Sequence, residues 1–141
     1  MKTTTTWTGK MGFLGKNPSG HDVKMDGPAT IGGEDSGSRP TELLLQAVAG
    51  CTAIDIISIL RKMRVEPERF ETEVEGTRAE EHPKKFTHIH IHYILDGDIP
   101  EKKLARAIRL SKDEYCSVSH TLNSDITASY TLNGEKGELD V

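Results

Sequence analysis

The chain has 141 residues, the size of one ordinary domain, and no shift in composition divides it. Its 18 Lys and Arg residues against 22 Asp and Glu residues give a net charge of −4, which offers no electrostatic reason to bind nucleic acid or an anionic membrane. Only 35% of the residues are hydrophobic, and 13 glycines add to the loops. This combination favours a fold that buries part of its surface against a partner, and we predict a single domain over residues 1–141.

The first residues, 1–8, lack the apolar stretch of a signal peptide, so we expect the protein in the cytoplasm. The most apolar segment covers residues 43–60. It is interrupted by four small or polar residues: Gln46, Gly50, Asp55 and Ser58. A mid-span Asp would cost several kcal/mol in a bilayer. This segment is therefore predicted as a buried helix and not as a membrane span.

The N-terminal part has the composition of strands and turns. Residues 3–14 are rich in Thr and aromatic residues and predict a strand. A turn over 17–20 and the alternation around Val23 and Met25 then complete a predicted hairpin. Residues 27–38 contain four glycines and no apolar run, which predicts a flexible surface loop.

A long helix follows this loop. Pro40 suits a first helical turn, Ser38 is the candidate cap, and Glu42 favours the positive end of the helix dipole. The helix is expected to run to about Met63 and to be covered on nearly every side, because it is apolar around most of its circumference. Gly50 would let another backbone approach closely.

The C-terminal half alternates strands and helices. Two strands are predicted, one around 70–76 and one over 86–95. An amphipathic helix begins at Pro100, with Leu104, Ala107, Ile108, Ser111 and Tyr115 on its apolar side. One or two helical turns over 116–122 and a closing strand over 126–132 complete the chain. The order predicts an α+β fold in which antiparallel sheets pack around the central buried helix.

Two cysteines are the first candidates for chemistry. Cys51 lies in the buried helix, and Cys116 follows the second helix 65 residues later. They are either two separate core thiols or a transient catalytic pair, since stable disulfides are rare in reducing compartments. Asp55 lies one turn from Cys51, and Cys116 begins a new turn whose free N–H groups can stabilise a thiolate.

Three histidines, His88, His90 and His92, share one face of a predicted strand. They suggest a metal site, or simply the polar face of an antiparallel sheet. Side chains in a row along a strand do not converge on one point, which favours the polar face. The same interpretation is given to Glu71, Glu73 and Glu75.

Arg39 and Glu42 stand at the start of the long helix. They are either a solvated Arg and a helix-start acid, or an ion pair that presents a guanidinium to a thiolate or a peroxide oxygen. Glu42 precedes Cys51 by nine positions, a rise of about 13.5 Å along a straight helix. A contact between them would need a bend or a second subunit.

Four segments together resemble the OsmC/Ohr superfamily of thiol peroxidases, and more closely its YhfA-like OsmC branch. They are GHDVKMDG at 20–27, GGEDSGSRPTELLLQAVAGCTAIDI at 32–56, VEGTRAEEHPKKFTHIHIHY at 74–93 and AIRLSKDEYCSVSHTL at 107–122. The most specific elements are a helix with a small residue before Cys and a Cys-x-Val-Ser turn some sixty residues later.

The resemblance implies an intertwined homodimer with two active sites at its interface. It implies that Cys51 is the peroxidatic thiolate, that Cys116 resolves its sulfenic acid as a disulfide, and that a dithiol then reduces the disulfide. No metal or organic cofactor is implied. The protein would be a hydroperoxide reductase in oxidative or osmotic stress defence.

Two departures from the Ohr pattern affect the predicted activation of Cys51. The family's Glu directly follows the Pro, whereas Thr41 stands between Pro40 and Glu42 here, and the nearest candidate for the family's Arg is Arg39. In addition, Cys-Pro is replaced by Cys116-Ser117. The alternative is therefore a non-enzymatic, redox-sensing or small-molecule-binding dimer with an altered active site.

Overall fold

A computed structural model describes residues 1–139, and the chain forms two compact units, Met1–Leu44 and Leu45–Val141. Each unit has its own sheet, with three strands in the first and four in the second. The fold is therefore mixed α+β, as predicted. That residues 1–141 act as a single domain stays a prediction.

The first unit is built on an antiparallel sheet of β1 (Thr4–Gly9), β2 (Gly12–Lys16) and β3 (Asp22–Met25), in that order. The prediction of one strand over 3–14 is wrong, because a tight turn at 10–11 divides it into β1 and β2. Gly9 and Lys10 adopt positive φ angles of 110° and 50° at this turn. Glycines at 9 and 12 were the signal for it.

The loop after β3 is organised around one carboxylate. Asp26 is buried and accepts hydrogen bonds from the Gly27 and Ser36 amides at 2.7 and 3.2 Å and from the Ser36 hydroxyl at 2.6 Å. These bonds, led by that of the hydroxyl, lower the pKa of Asp26 to about 2. The segment predicted as a flexible loop thus includes a short 3₁₀ helix, Ala29–Ile31, and a network centred on Asp26.

Helix α1 spans Pro40–Lys62, so the predicted start is confirmed and the end lies within one residue of the prediction. Its N-cap position is Arg39 and not Ser38. Glu42 accepts the Arg39 backbone N–H at 2.7 Å, which is the acidic half of a capping box.

The other end of α1 is closed by Arg64, whose φ of 60° is left-handed. The Val65 N–H donates to the Leu60 carbonyl and the Arg64 N–H to the Arg61 carbonyl, both at 2.9 Å. This is the Schellman pattern. The sequence concealed it because an Arg occupies the position that usually holds Gly.

Only one stripe of α1 is buried within the chain, formed by Val48, Thr52, Ile56 and Leu60. On other sides the helix is open, and Ile54 is 72% exposed. The described chain therefore does not cover the helix on nearly every side. Among residues 1–139, α1 is the one helix long and apolar enough to cross a membrane, a property that core helices of soluble proteins share.

The second unit contains a sheet in the order β4 (Arg69–Arg78), β5 (Phe86–Asp96), β6 (Asp125–Leu132) and β7 (Glu135–Glu138). The expectation of purely antiparallel sheets is wrong here, because β5 and β6 pair in parallel. A parallel pair needs a long crossover, and the helices between the two strands supply it. Strand β7 was not predicted, although Asn133-Gly134 is a strong hairpin signal.

The crossover contains α2 (Glu101–Leu110), a π-helical turn (Ser111–Tyr115) and α3 (Ser117–Thr121). Four predicted apolar-face residues of this segment are buried: Leu104, Ala107, Ile108 and Ser111. Tyr115 is instead 57% exposed, so its predicted place on that face is wrong. The π turn, closed by a 2.8 Å bond from the Cys116 N–H to the Ser111 carbonyl, changes the helical repeat before Tyr115.

The core of the second unit lies between one face of the sheet, the buried stripe of α1 and the inner side of α2. On β5 the inward residues are Ile89, Ile91, Tyr93 and Leu95. This alternation agrees with the period of two read from the sequence. It also directs the phenol ring of Tyr93 into the interior, close to the cysteines.

Candidate functional site

The two cysteines come together in the second unit. The Sγ atoms of Cys51 and Cys116 and a carboxylate oxygen of Asp55 all lie within 4.8 Å of one another. Both cysteines are free thiols. Cys51 and Asp55 occupy positions i and i+4 of α1 and so share one side of the helix. The sulfurs are near enough for a disulfide to form after modest side-chain movement.

Cys116 is the buried member of the pair. It is the N-cap of α3, and its Sγ accepts the Ser119 N–H at 3.3 Å. Burial raises the pKa of the Cys116 thiol, the Ser119 hydrogen bonds oppose this rise, and the neighbouring Cys51 thiol adds to it. Cys116 is therefore held as a neutral thiol over most of the physiological pH range.

Cys51 is the more accessible member, since it is half-buried whereas Cys116 is fully buried. The preceding residue, Gly50, has no described atom within 4 Å of the position that a Cβ would occupy. The close backbone approach predicted at Gly50 is thus absent within the described chain, and the helix surface beside Cys51 is open.

Asp55 is fixed by a serine from the crossover. The Ser111 hydroxyl donates to Asp55 Oδ2 at 2.9 Å and lies 3.3 Å from the Thr52 carbonyl oxygen. Ser111 is buried and opens the π-helical turn that leads to Cys116. One hydroxyl group therefore ties the segment carrying Cys116 to the helix carrying Cys51.

A buried tyrosine of β5, Tyr93, lies in the core of the second unit. Burial raises the pKa of Tyr93, a hydrogen bond with Thr52 on α1 opposes the rise, and Cys116 and Asp55 add to it. The phenol is thus electrostatically linked to residues of the site. Sequence reasoning missed Tyr93 and Ser111 as site residues because each sits on an ordinary core-facing position of its element.

An open groove of about 660 Å³ begins at Asp55. Its walls carry two cations, Lys62 and Arg106, and the exposed Tyr115. Ser58 and the apolar side chains of Ile59, Met63 and Leu110 complete the lining. The groove therefore adjoins the site through Asp55, and neither cysteine lines it.

Arg39 and Glu42 belong to the first unit, and their contacts there differ from the predicted ion pair. Arg39 Nη1 lies 2.7 Å from Asp35 Oδ1, whereas Glu42 is engaged by the backbone N–H of Arg39. Among residues 1–139 the guanidinium of Arg39 has no ion pair with Glu42. The predicted ion pair between Arg39 and Glu42 is therefore wrong for the single chain, in which Glu42 accepts a hydrogen bond from the backbone of Arg39.

The three strand histidines form a hydrogen-bonded ladder with β6. His90 contacts the hydroxyls of Thr127 and Ser129 at 2.6 and 2.8 Å, and His92 contacts those of Ser129 and Thr131 at 2.6 and 2.8 Å. Both ring nitrogens of His90 and of His92 are thereby occupied, and His88 Nε2 lies 3.1 Å from the Thr127 hydroxyl. Within the described residues, the one group of three potential metal ligands is Cys51, Asp55 and Cys116.

A family model described as OsmC-like protein matches residues 33–131, which include both cysteines. The chain belongs to the OsmC-like family. Within it, the chain is 40% identical over 135 residues to the protein YhfA of Escherichia coli K12, covering 94% of this chain and 98% of YhfA. The resemblance to the YhfA-like branch is thereby confirmed.

Solved structures of OsmC-like proteins have the same fold. A hypothetical protein from Aquifex aeolicus is 30% identical, with a TM-score of 0.82 over 93% of this chain and 94% of that one. An organic hydroperoxide resistance protein OsmC from Legionella pneumophila is 16% identical, with a TM-score of 0.68 over 92% of this chain and 96% of that one. At that identity the Legionella structure supports the fold alone.

Proposed function

We propose that this OsmC-like protein is a thiol-dependent hydroperoxide reductase. The observation that carries the proposal is the approach of Cys51 and Cys116 to within 4.8 Å, with Cys51 accessible and Cys116 buried. An accessible thiol can meet peroxide, and a buried one beside it can resolve the product. The name of the Legionella structural neighbour, an organic hydroperoxide resistance protein, indicates which substrate class to test.

The reaction proceeds in two steps on the protein. The Cys51 thiolate attacks the distal oxygen of a hydroperoxide ROOH, an S–O bond forms, the O–O bond breaks, and the leaving alkoxide takes a proton to give ROH. The sulfur of Cys116 then attacks the Cys51 sulfenic acid, an S–S bond forms, and hydroxide leaves as water after taking up a proton. A dithiol reductant returns two electrons by thiol–disulfide exchange.

A thiolate nucleophile and a leaving alkoxide both carry negative charge, so a nearby cation would favour the reaction. We propose that Arg39 supplies this cation, as the family resemblance implies, and that Glu42 acts as a positioning residue by holding the Arg39 backbone. A guanidinium near the sulfur would favour the thiolate and stabilise the leaving alkoxide. Expected results are a large loss of turnover in Arg39→Ala and a smaller loss in Glu42→Gln.

We also propose that the protein is an intertwined homodimer. A contiguous apolar surface of α1 is open in the single chain: Ile54 is 72% exposed and lines this surface together with Ala53 and Ile57. Contiguous exposed apolar patches mark association sites. Ile54→Glu is expected to shift the protein to monomers in light scattering after size exclusion, whereas the matched charge at exposed Asn123, Asn123→Glu, leaves the dimer intact.

Peroxide consumption by the purified protein with a dithiol tests the enzyme directly. Wild type should turn over many equivalents of an organic hydroperoxide, and Cys51→Ser should abolish turnover. Cys116→Ser should retain one oxidation event and accumulate a sulfenic acid on Cys51, detectable with dimedone. Equal inertness of wild type and Cys51→Ser would rule out catalysis. We propose a cytoplasmic location, where dithiol reductants keep the pair reduced.

The alternative is a redox sensor or binding module without turnover. The displaced acid Glu42 favours it, because Glu42 binds the backbone of Arg39 and not its guanidinium. In that case one equivalent of peroxide is consumed per chain and no more, with a disulfide between Cys51 and Cys116 as the end product. The number of peroxide equivalents consumed therefore separates the two functions.

A further inference from the structure

Cys51, Asp55 and Cys116 form a ligand set as well as a redox pair. Their Sγ and carboxylate oxygen atoms lie within 4.8 Å of one another, although 65 residues separate the two cysteines. Tetrahedral Zn²⁺ with Zn–S bonds of about 2.3 Å places its sulfur ligands about 3.7 Å apart. Only a small contraction of the three side chains would reach this geometry.

We propose that the reduced protein binds one thiophilic divalent cation, Zn²⁺, through Cys51, Asp55 and Cys116. Two thiolates and one carboxylate are a zinc-type ligand set, and softer than the oxygen-only sets that Mg²⁺ and Ca²⁺ prefer. The fourth position is left to water or a small ligand from the groove that begins at Asp55.

The surroundings of the three side chains suit a metal. Ser111 donates to Asp55 Oδ2 and so orients the carboxylate. The Ser119 N–H donates to Cys116 Sγ and supports a thiolate there. Such hydrogen bonds from outside the ligand set orient ligands and raise metal affinity. Asp55 also lines the open groove, and Cys51 is half-buried, so two of the three ligands lie near the surface.

Zinc and peroxide would compete for the same sulfurs. Metal binding requires both thiolates and releases their protons, so it strengthens as pH rises. Oxidation by ROOH joins the sulfurs in a disulfide, consumes both ligands and releases Zn²⁺ unchanged in charge. Binding itself is independent of the proposed reductase activity, and only this release by peroxide rests on it.

Titration of the reduced, metal-free full chain tests the proposal. Co²⁺ should give thiolate charge-transfer absorption in the near ultraviolet, and Zn²⁺ should displace it with a stoichiometry of about one per chain. Asp55→Asn keeps an acceptor for Ser111 and should lower Zn²⁺ affinity by at least the roughly 10-fold to 100-fold that loss of an outer-shell partner costs. Cys116→Ser should remove the charge-transfer band or reduce it by half.

Four controls make the result decisive. Asp113→Asn, at an exposed acid in the π turn, should bind Zn²⁺ as wild type does, and so should His90→Gln on the histidine ladder. In wild type, Zn²⁺ should slow alkylation of Cys51 by iodoacetamide, a measurement that needs no variant to fold. The disulfide form should not bind.

Several outcomes would overturn the proposal: no charge-transfer band, unchanged affinity in Asp55→Asn, or loss of binding in His90→Gln. Each is independent of peroxide turnover. Zn²⁺ binding without peroxide turnover would support the metal site and contradict the proposed reductase. Turnover without Zn²⁺ binding would support the reductase and contradict the metal site.

Discussion

The hydroxyl of Ser111 donates a hydrogen bond to the carboxylate of Asp55, with an Oγ to Oδ2 distance of 2.9 Å. This bond joins the π-helical turn before Cys116 to the helix that carries Cys51. The position of one sulfur relative to the other therefore depends on a single buried hydroxyl group. Removing that group should affect both stability and the chemistry of the thiol pair.

Ser111→Ala should lower the free energy of unfolding by about 1–3 kcal/mol, because a partly buried carboxylate loses its donor. It should also slow disulfide formation by diamide, since the crossover is less firmly held. Urea unfolding and thiol titration measure the two effects. Ser117→Ala, which removes an exposed hydroxyl next to Cys116, is the control and should leave both values unchanged.

Stability should fall as the pH rises above about 9. Burial raises the pKa of Cys116 above its ordinary value of 9.0. Below pH 9 the Cys116 thiol is neutral in both the folded and the unfolded chain, so its contribution to the free energy of unfolding is fully present. Above pH 9 the thiol loses its proton in the unfolded chain first. This stabilises the unfolded chain, and the contribution of Cys116 is lost as the pH rises through the pKa of the folded state.

Urea unfolding between pH 7 and pH 10 checks this dependence. Cys116→Ala should show a shallower decline than wild type over the upper part of the range. Tyr115→Phe, at an exposed phenol, should keep the wild-type decline. A wild-type decline no steeper than that of Cys116→Ala would contradict the assignment.

Asp26 should give the opposite pH dependence. Its pKa is lowered from 3.8 to about 2, so its stabilising effect is present above pH 4 and is lost as the pH falls toward 2. Asp26→Asn should therefore be less stable than wild type at pH 6, and the difference should narrow between pH 4 and pH 2. Thermal unfolding measures it, with Asp22→Asn at an exposed strand residue as the control.

Glu42→Ala should lower the free energy of unfolding by roughly 0.5–1 kcal/mol, because the Arg39 N–H at the helix start loses its acceptor. Glu42→Gln keeps an oxygen acceptor and should lose less. Chemical denaturation of the two variants compares them. Equal losses would show that charge at the helix start, and not the hydrogen bond, is the stabilising feature.

Local patterns in the sequence were enough to predict β5, α1 and α2, because alternation and helical spacing are set by which residues face the core. The pairing of β5 with β6 was not predictable in this way. Parallel pairing depends on the route of the crossover, which leaves no local signature. Strand β7 was accessible through Asn133-Gly134, whose positive φ angles suit a two-residue hairpin turn.

In the candidate site, too, some residues were predictable from local sequence patterns and others were not. Cys51 and Asp55 were visible as neighbours one helical turn apart, and the family resemblance pointed to Cys116. The contribution of Ser111 was hidden, because its exact direction depends on the π turn that begins there. The exposure of Tyr115 has the same origin. A change in helical repeat turns the following side chains to another side of the helix, and the residue types give no sign of it.

The parallel pairing of β5 and β6 has a consequence for the redox chemistry. Cys116 lies inside the crossover between these strands, so the two sulfurs meet only when a connection of high sequence separation has closed. A newly made or partly opened chain keeps its thiols apart and gains no preference for bonding them. The proposed disulfide would therefore form preferentially in molecules that have completed this topology.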